Sequence, residues 1–195
     1  FPNLTYSHVS GVGYQDQPAV LKLTLPSQRT SCEIEWYREQ NGRGCAHLLN
    51  SDPDLGALLL EQLAPATSCK QLVQEGKDDE ATNAVADALL SLDHKPAMGT
   101  EFFNVRGFTV ELGKLSGKVP NELLNLALCQ LNDSKRDMNC DVLLHGDLHH
   151  DNVLRHGRKW VAIDPHGYVV PRVFEVGAMM RNPYDAFPEG SLVDI

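Results

Sequence analysis

The sequence lacks a run of the roughly 20 apolar residues that a membrane-crossing helix needs, and its first residues lack the pattern of a signal peptide. We therefore expect no membrane partner.

The five cysteines form an odd set without a CxxC pair or short regular spacing, which gives no indication of zinc or of a disulfide framework and favours the cytoplasm. Clustered Lys and Arg are also missing. With a net charge of -9, strong binding to a nucleic acid backbone is excluded and a cationic small substrate is favoured.

What is present is the composition of a globular protein, with 195 residues of which 42% are hydrophobic, enough for one or two small domains. Residues 4–14 and the apolar run 19–25, which ends at Pro26, predict a pair of strands. Residues 31–40 predict a helix that has Thr30 or Ser31 as its N-cap and stops before Asn41 and Gly42. The apolar runs 46–49 and 57–60 flank the turn residues 51–54, so they predict a hairpin.

The composition shifts from strands to helices at Pro65, and we place a domain boundary there, between residues 1–63 and 64–195. Two apolar stripes at helical spacing predict core helices, one at Val85, Ala88, Leu89 and Leu92, the other at Leu123, Leu124, Leu128 and Leu131. Lys95-Pro96 is expected to end the first helix, and Pro120 suits the first turn of the second. Residues 141–144 predict a strand, and residues 152–154 and 160–163 predict a hairpin.

Polar residues with a distinctive spacing lie between that strand and the end of that hairpin. His145-x-Asp147 is followed by Asn152, and Asp164 closes the hairpin. A kinase catalytic loop has this form: its Asp accepts the proton of the substrate hydroxyl, and its Asn and a later Asp hold magnesium ions. The alternative is that these residues serve only as turns and caps. Similarly, the single charge in the apolar strand, Lys22, either reaches an exposed edge or points into a cleft.

The sequence resembles the aminoglycoside phosphotransferase family, and within it the branch of streptomycin 6-kinases and hydroxyurea-resistance kinases. The resemblance is carried by AVLKL at 19–23, GALLLEQL at 56–63, HGDLHHDNVL at 145–154, WVAIDPHG at 160–167 and FEVGAMMRNP at 174–183. It implies an α+β, bilobal, protein-kinase-like fold with a small antiparallel-sheet N-terminal lobe and a mainly helical C-terminal lobe. Residues 1–63 would bind the nucleotide, and residues 64–195 would carry catalysis and the acceptor site.

Residue by residue, the resemblance implies that Asp147 is the catalytic base and that Asn152 and Asp164 are magnesium ligands. Lys22 would contact the nucleotide phosphates and pair with Glu33. Glu35 is the alternative candidate for that pairing. The two glutamates lie on different faces of a helix, and the sequence alone does not determine which face points into the cleft. The backbone from Glu61 to Leu63 would receive the adenine.

The resemblance also assigns supporting roles. His145 would fasten the loop, and Glu175, Arg181 and Asn182 would brace it or line the acceptor site, with bracing preferred. His149, His150 and His166 could form a metal cluster on generic grounds, although the family needs no zinc. Compared with the family, we expect a chain truncated at both ends, without a glycine-containing phosphate loop and with residues 10–13 forming a hairpin turn instead.

The implied activity is ATP- and Mg²⁺-dependent phosphorylation of a hydroxyl on a small molecule, with streptomycin or a related aminoglycoside as the acceptor and antibiotic resistance as the consequence. A different hydroxylated metabolite stays open as acceptor, because the catalytic residues specify phosphoryl transfer and leave the acceptor undetermined. Two other classes also stay open. One is a catalytically impaired, nucleotide-binding relative, and the other is a metal-dependent hydrolase, for which GDLHHD is the only matching segment.

Overall fold

The computed structural model of the chain describes residues 7–92, 102–134 and 141–182. Its N-terminal part is a four-stranded antiparallel sheet in the order β1-β2-β4-β3, formed by β1 (Ser7–Tyr14), β2 (Gln17–Thr24), β3 (Leu48–Asp52) and β4 (Ala57–Glu61). The predicted strand pair and the predicted hairpin are confirmed. The turn expected at residues 10–13 is wrong, because these residues lie inside β1. The chain turns instead at Gln15 and Asp16, both of which have positive φ.

Helix α1 (Gln28–Gln40) follows this hairpin and begins three residues before the predicted start. Its N-cap is Ser27, whose hydroxyl accepts a hydrogen bond from the Thr30 amide at 3.3 Å. Thr30 is buried inside the first turn and donates to the Leu25 carbonyl, so it is not the cap. The predicted end is confirmed, since Asn41 takes the left-handed conformation that stops the helix.

A second antiparallel sheet, in the order β5-β8-β9, is built from distant segments: β5 (Pro65–Ser68), β8 (Val153–His156) and β9 (Lys159–Ala162). The predicted change from strands to helices at Pro65 is therefore wrong for the four residues of β5. Helices α2 (Cys69–Gln74) and α3 (Asp78–Ser91) come after it. The predicted stripe of α3 is confirmed at Val85 and Ala88, which are buried in the core.

The last sheet has the order β6-β10-β7, with β6 (Phe103–Asn104), β7 (Asp141–Leu144) and β10 (Tyr168–Pro171). Around it lie α4 (Val105–Gly113), α5 (Asn121–Ser134) and α6 (Val176–Met180). The stripe of α5 buries Leu124 and Leu131, whereas Leu123 is 60% exposed, so its predicted core position is wrong. The predicted helix stop at Pro96 lies outside the described residues. No helix that the structure describes is long and apolar enough to cross a membrane.

The main hydrophobic core connects the first two sheets through α1. Trp36 and Tyr37 of this helix are fully buried and belong to the same core cluster as residues of β4, α3, β8 and β9. Trp36 meets the His145 ring edge to face, with the ring centroids 5.3 Å apart. The Tyr37 hydroxyl accepts a hydrogen bond of 3.0 Å from the Asp164 amide. One buried face of α1 thus holds the two ends of the segment that carries the predicted catalytic residues.

Candidate active site

A polar cavity of about 350 Å³ collects most of the residues that the sequence singled out. Lys22, Glu33, Asp147, Asn152 and Asp164 all line it. Glu61 and Leu63 lie beside a neighbouring cavity of about 320 Å³, which Lys22 and Asp164 also line. The seven predicted residues therefore lie around two adjoining cavities that share a lysine and an aspartate.

Lys22 lies at the centre of this arrangement, on β2. Its Nζ is 2.7 Å from Glu33 Oε1 and 3.1 Å from Asp164 Oδ1. Lys22 is 8% exposed and Glu33 is 5% exposed, so the ion pair is buried. Burial acts to lower the pKa of Lys22, but the two carboxylates outweigh it and raise that pKa, which keeps the ammonium group charged. Burial raises the pKa of Glu33, and the ammonium group offsets this only in part.

Of the two glutamates on α1, Glu33 is the one that contacts Lys22. Glu35 forms an ion pair with Arg38 on the outer face of the helix instead. The helical spacing explains the difference, because residues two apart lie on different faces.

Glu61 is the last residue of β4 and Leu63 follows this strand, where the chain leaves the first sheet. The Glu61 side chain is turned to the backbone of His47, whose amide donates to Oε1 at 2.8 Å. Leu63 is buried, and the neighbouring cavity is otherwise mostly apolar, lined by Val9, Val20, Ala46, Leu60, Ala66, Leu154 and Ile163. Such walls suit a flat, weakly polar ring, which would find its hydrogen bonds in the backbone of this segment.

The loop after β7 presents the Asp147 carboxylate to the polar cavity. The Asn152 side-chain amide ties the loop together, since its Nδ2 donates to the Asp147 carbonyl at 2.9 Å and lies 3.4 Å from Asp147 Oδ2. Burial acts to raise the pKa of Asp147, but the imidazoles of His149, His166 and His145 outweigh it and lower that pKa. Asp147 is therefore ionised at neutral pH and can accept a proton.

His145 fastens this loop to the strand that delivers Asp164. Its ring is fully buried: Nδ1 accepts from the Asp147 amide at 3.3 Å, so Nε2 carries the proton and donates to the Ile163 carbonyl at 2.8 Å. Burial lowers the pKa of His145 to about 4, so the ring is neutral. The Ile163 amide also donates to the Asn152 carbonyl at 3.0 Å. These bonds explain why residues 147, 152 and 164 come together.

Glu175 braces the same loop from beneath. Glu175 is 3% exposed, and its carboxylate accepts from the amides of His145 at 2.8 Å and Gly146 at 2.9 Å. Burial raises its pKa to about 7, although these backbone donors counteract the effect. Asn182 lies at the end of the described residues, where its side chain donates to the Ala178 carbonyl within the turn after α6.

Arg29 is a lining residue that the sequence analysis did not single out. It lies in the first turn of α1 and its guanidinium group contacts His166 Nε2. The sequence did contain one indication that Arg29 lines the cavity. It precedes Glu33 by four residues, which places both side chains on one face of the helix.

The donor set suits a hard cation such as Mg²⁺, which prefers oxygen ligands. Because Asn152 uses its amide nitrogen within the loop, its amide oxygen is left as a ligand, and Asp164 has a second carboxylate oxygen beyond the one that meets Lys22. His149 and His166 line the cavity, whereas His150 is buried outside that lining. Within the described residues, no group of three or more His, Cys, Asp or Glu side chains is arranged to hold a metal.

Comparison with known proteins gives one family match, to the aminoglycoside/hydroxyurea antibiotic resistance kinases over residues 4–191. Streptomycin 3''-kinase from Klebsiella pneumoniae is 33% identical over 86% of this chain and 62% of its own length. Streptomycin 6-kinase from Streptomyces glaucescens is 35% identical over 86% of this chain and 56% of its own length. Hydroxyurea phosphotransferase from Kitasatospora aureofaciens is 30% identical over 91% of this chain and 54% of its own length. The chain thus spans little more than half the length of these relatives.

Solved structures share the fold at low sequence identity. A choline/ethanolamine kinase family protein from Mesorhizobium loti superposes with a TM-score of 0.60 at 14% identity, over 94% of this chain and 68% of that one. A thermostable mutant of the aminoglycoside phosphotransferase APH(4)-Ia, in ternary complex with ADP and hygromycin B, gives a TM-score of 0.59 at 15% identity, over 91% and 69%. The predicted α+β kinase-like fold is confirmed.

Proposed function

Because the chain belongs to the aminoglycoside/hydroxyurea antibiotic resistance kinase family, we propose that its polar cavity transfers a phosphoryl group from ATP to a hydroxyl of a small molecule. The observation that carries this proposal is the position of the Lys22 ammonium group. It is bonded to both Glu33 and Asp164, in a cavity that Asp147 and Asn152 also line. A phosphate-binding cation, a base and oxygen ligands for magnesium are the parts that phosphoryl transfer requires.

Each residue has a separate task in this proposal. Asp147, ionised at neutral pH, accepts the proton of the acceptor hydroxyl as that oxygen attacks the terminal phosphorus. Lys22 contacts the nucleotide phosphates, and Glu33 holds it in place. Asn152 and Asp164 would hold Mg²⁺, which when bound neutralises charge on the phosphates. The adenine would lie in the mostly apolar cavity against the backbone from Glu61 to Leu63.

We place the nucleotide lobe at residues 1–63 and the catalytic and acceptor lobe at residues 64–195. The topology supports this division, because β5 begins at Pro65 and pairs with β8 rather than with the first sheet. Two of the relatives are named as streptomycin kinases, and the net charge of -9 favours a cationic compound. Together these observations support streptomycin or a similar cationic aminoglycoside as the acceptor. Cys32, Cys45 and Cys69 are buried and form no disulfide among the described residues, which fits a reducing cytoplasm, where ATP is available.

The test is transfer of labelled phosphate from Mg-ATP to streptomycin by the purified chain. We expect transfer by the unaltered protein, and a loss of about 100-fold or more in kcat for Asp147→Asn, because the amide cannot accept the hydroxyl proton. Asp151→Asn is the matched control. Asp151 lies in the same loop and pairs with Lys70 at 3.6 Å, and it is not among the described residues that line the polar cavity.

A panel of other hydroxylated compounds decides between the acceptors. Transfer to another compound but not to streptomycin would identify a kinase of a different metabolite. Nucleotide binding without transfer to any acceptor would identify a catalytically impaired relative. Full activity of Asp147→Asn would overturn the assignment of the base.

A further inference from the structure

We propose that Arg29 is a further catalytic residue, whose guanidinium group contacts the phosphoryl group during its transfer and is oriented by His166. The inference rests on the proposed phosphotransferase function and adds a second cation to it. It starts from the lining of the polar cavity, where Lys22 and Arg29 are the two lysine or arginine residues among the described ones.

The geometry of α1 directs Arg29 into the cleft. Residues four apart in a helix lie on one face, about one turn or 5.4 Å apart along the axis. Glu33 faces the cleft, as its bond to Lys22 shows, so Arg29 faces it one turn closer to the start of the helix. The hydrogen bonds of Ser27 and Thr30 fix this first turn, which makes the origin of the arginine side chain rigid.

His166 holds the guanidinium group at the opposite wall of the cavity. A guanidinium group can only donate hydrogen bonds, so His166 Nε2 must accept from Arg29. The proton of the imidazole is then on Nδ1, which lies 3.1 Å from the Tyr168 hydroxyl and donates to it. His166 Nε2 is also 3.5 Å from Asp147 Oδ2. Arg29 is therefore held within one side chain of the proposed catalytic base.

The distribution of charge leaves Arg29 as the cation that is available to an incoming phosphate. The ammonium group of Lys22 already meets two carboxylates, Glu33 and Asp164. In the cavity Arg29 is hydrogen-bonded to a neutral imidazole nitrogen and interacts with Glu33 only through space, so its positive charge is less compensated than that of Lys22. A planar guanidinium group also matches two oxygens of one phosphoryl group, which a single ammonium group cannot do.

The transfer step shows where this charge acts. The acceptor oxygen forms a bond to the terminal phosphorus, and the bond from that phosphorus to its bridging oxygen breaks. ADP leaves with the electron pair, and the hydroxyl proton goes to Asp147. During this exchange negative charge spreads over the three equatorial oxygens of the phosphoryl group. These oxygens are beside Asp147, the base that Arg29 approaches. Binding of Arg29 to the acceptor is disfavoured, because a cationic aminoglycoside would be repelled by it.

Steady-state kinetics of the full chain with Mg-ATP and streptomycin test the proposal. We expect Arg29→Met to lower kcat by about 100-fold or more while the KM for ATP changes by less than about threefold, since a charge that acts in the transition state affects kcat. Arg29→Lys should recover part of the loss, and added guanidine should partly rescue Arg29→Met. Arg38→Met is the matched control, because Arg38 lies on the same helix and contacts Glu35 and Ser51.

A raised KM for ATP with an unchanged kcat would overturn the proposal, because Arg29 would then bind only the ground state. Wild-type kinetics for Arg29→Met would also overturn it.

A binding measurement covers the case in which streptomycin is not the acceptor. Mg-ADP with aluminium fluoride mimics the transferring phosphoryl group, and Arg29→Met should weaken its binding at least about tenfold more than that of Mg-ADP alone.

This measurement separates the two proposals. If the wild-type chain binds the mimic more tightly than ADP but phosphorylates nothing, the proposed phosphoryl transfer is refuted. The role of Arg29 is then decided by how strongly Arg29→Met weakens binding of the mimic. If the wild-type chain binds neither ADP nor the mimic, both proposals fail. If Arg29→Met weakens ADP and the mimic equally, the inference fails alone.

The positioning role of His166 is tested by a double-mutant cycle. We expect His166→Phe to lower kcat less than Arg29→Met does, and the double variant to be no slower than Arg29→Met. Such non-additivity arises when one residue acts through the other. Losses that multiply would show that His166 does not act through Arg29, and a merely structural role would change the stability of the protein without this pattern in kcat.

Discussion

His145 is the residue at which the requirements of folding and of the candidate active site coincide. A neutral ring is needed, because one nitrogen must accept from the Asp147 amide while the other donates to the Ile163 carbonyl. Protonation would turn the accepting nitrogen into a donor opposite another donor. The complete burial that lowers the pKa of His145 to about 4 therefore also preserves its hydrogen bonds.

This burial predicts a pH dependence of stability. In the unfolded chain the ring takes up a proton below its ordinary pKa of 6.5, whereas in the folded chain it does so only near 4. Since the unfolded state binds more protons in this window, the contribution of His145 is complete above pH 6.5 and is lost as the pH falls towards 4. The maximum size of the effect is on the order of 3 kcal/mol.

Urea unfolding of the wild type and of His145→Asn at several pH values measures the effect. We expect the difference in the free energy of unfolding between them to be largest near neutral pH and to shrink towards pH 4. A comparison of the two proteins is needed, because Glu175 acts in the opposite direction. Its pKa is raised from 4.5 to about 7, so its contribution falls as the pH rises through that range. A difference that does not depend on pH would contradict the prediction.

At the scale of elements, the loop after β7 owes its shape to close packing as much as to hydrogen bonds. Gly146 has a φ of +81°, and a Cβ placed there would lie 2.3 Å from Cδ2 of Tyr168. The Tyr168 ring cannot move freely, because it packs edge to face with Phe103, Phe108 and His166. The loop can therefore pass over β10 only because residue 146 is a glycine, which has no side chain.

We predict that Gly146→Ala is more harmful than Gly157→Ala. Both alanines would take a left-handed conformation, which costs about 1 kcal/mol. Gly157 has open space around it, whereas Gly146→Ala must also displace Tyr168, at a further cost of about 1–3 kcal/mol. Thermal unfolding should show this difference, and phosphate transfer should fall only for Gly146→Ala, because Tyr168 supports His166. Equal effects of the two substitutions on both quantities would refute this account.

The elements also show what the sequence could predict. The helix α3, the β3–β4 hairpin and the strand β7 were predictable, because local periodicity and turn residues determine them. The strand β5 was not, since its partner β8 lies far along the chain and Pro65 offered only a local breaker signal. The start of α1 was missed because Thr30 resembles a cap, and only its burial shows that Ser27 takes that role.

The residues of the candidate active site were likewise predictable where a local pattern determines them, and not where distant packing does. Residues that belong to a local motif, such as Asp147 and Asn152, were identified from the sequence. Arg29 was not, since its place beside His166, which is 137 positions further along the chain, depends on how α1 packs across the cleft.

At the scale of the whole molecule, the cleft joins segments that are distant in the chain. Lys22 and Asp164 are 142 residues apart and meet at 3.1 Å, and Tyr37 reaches the Asp164 amide across 127 residues. These contacts connect the first sheet and α1 to the loop and hairpin that follow. A nucleotide bound between the two cavities would contact both sides, so binding should stabilise the fold as a unit.

The last prediction concerns this coupling between the nucleotide and the fold. Mg-ADP at 100 times its Kd should raise the stability of the wild type by about 2.7 kcal/mol, seen as an increase in Tm. Lys22→Met should give a much smaller increase, because the cation that would contact the phosphates is gone. The variant should also start from a lower Tm, since Glu33 is buried and loses its ion-pair partner. Lys77→Met is the matched control, because Lys77 is exposed and pairs with Glu75, so the full increase should remain. An equal increase in all three proteins would show that the nucleotide does not bind at Lys22.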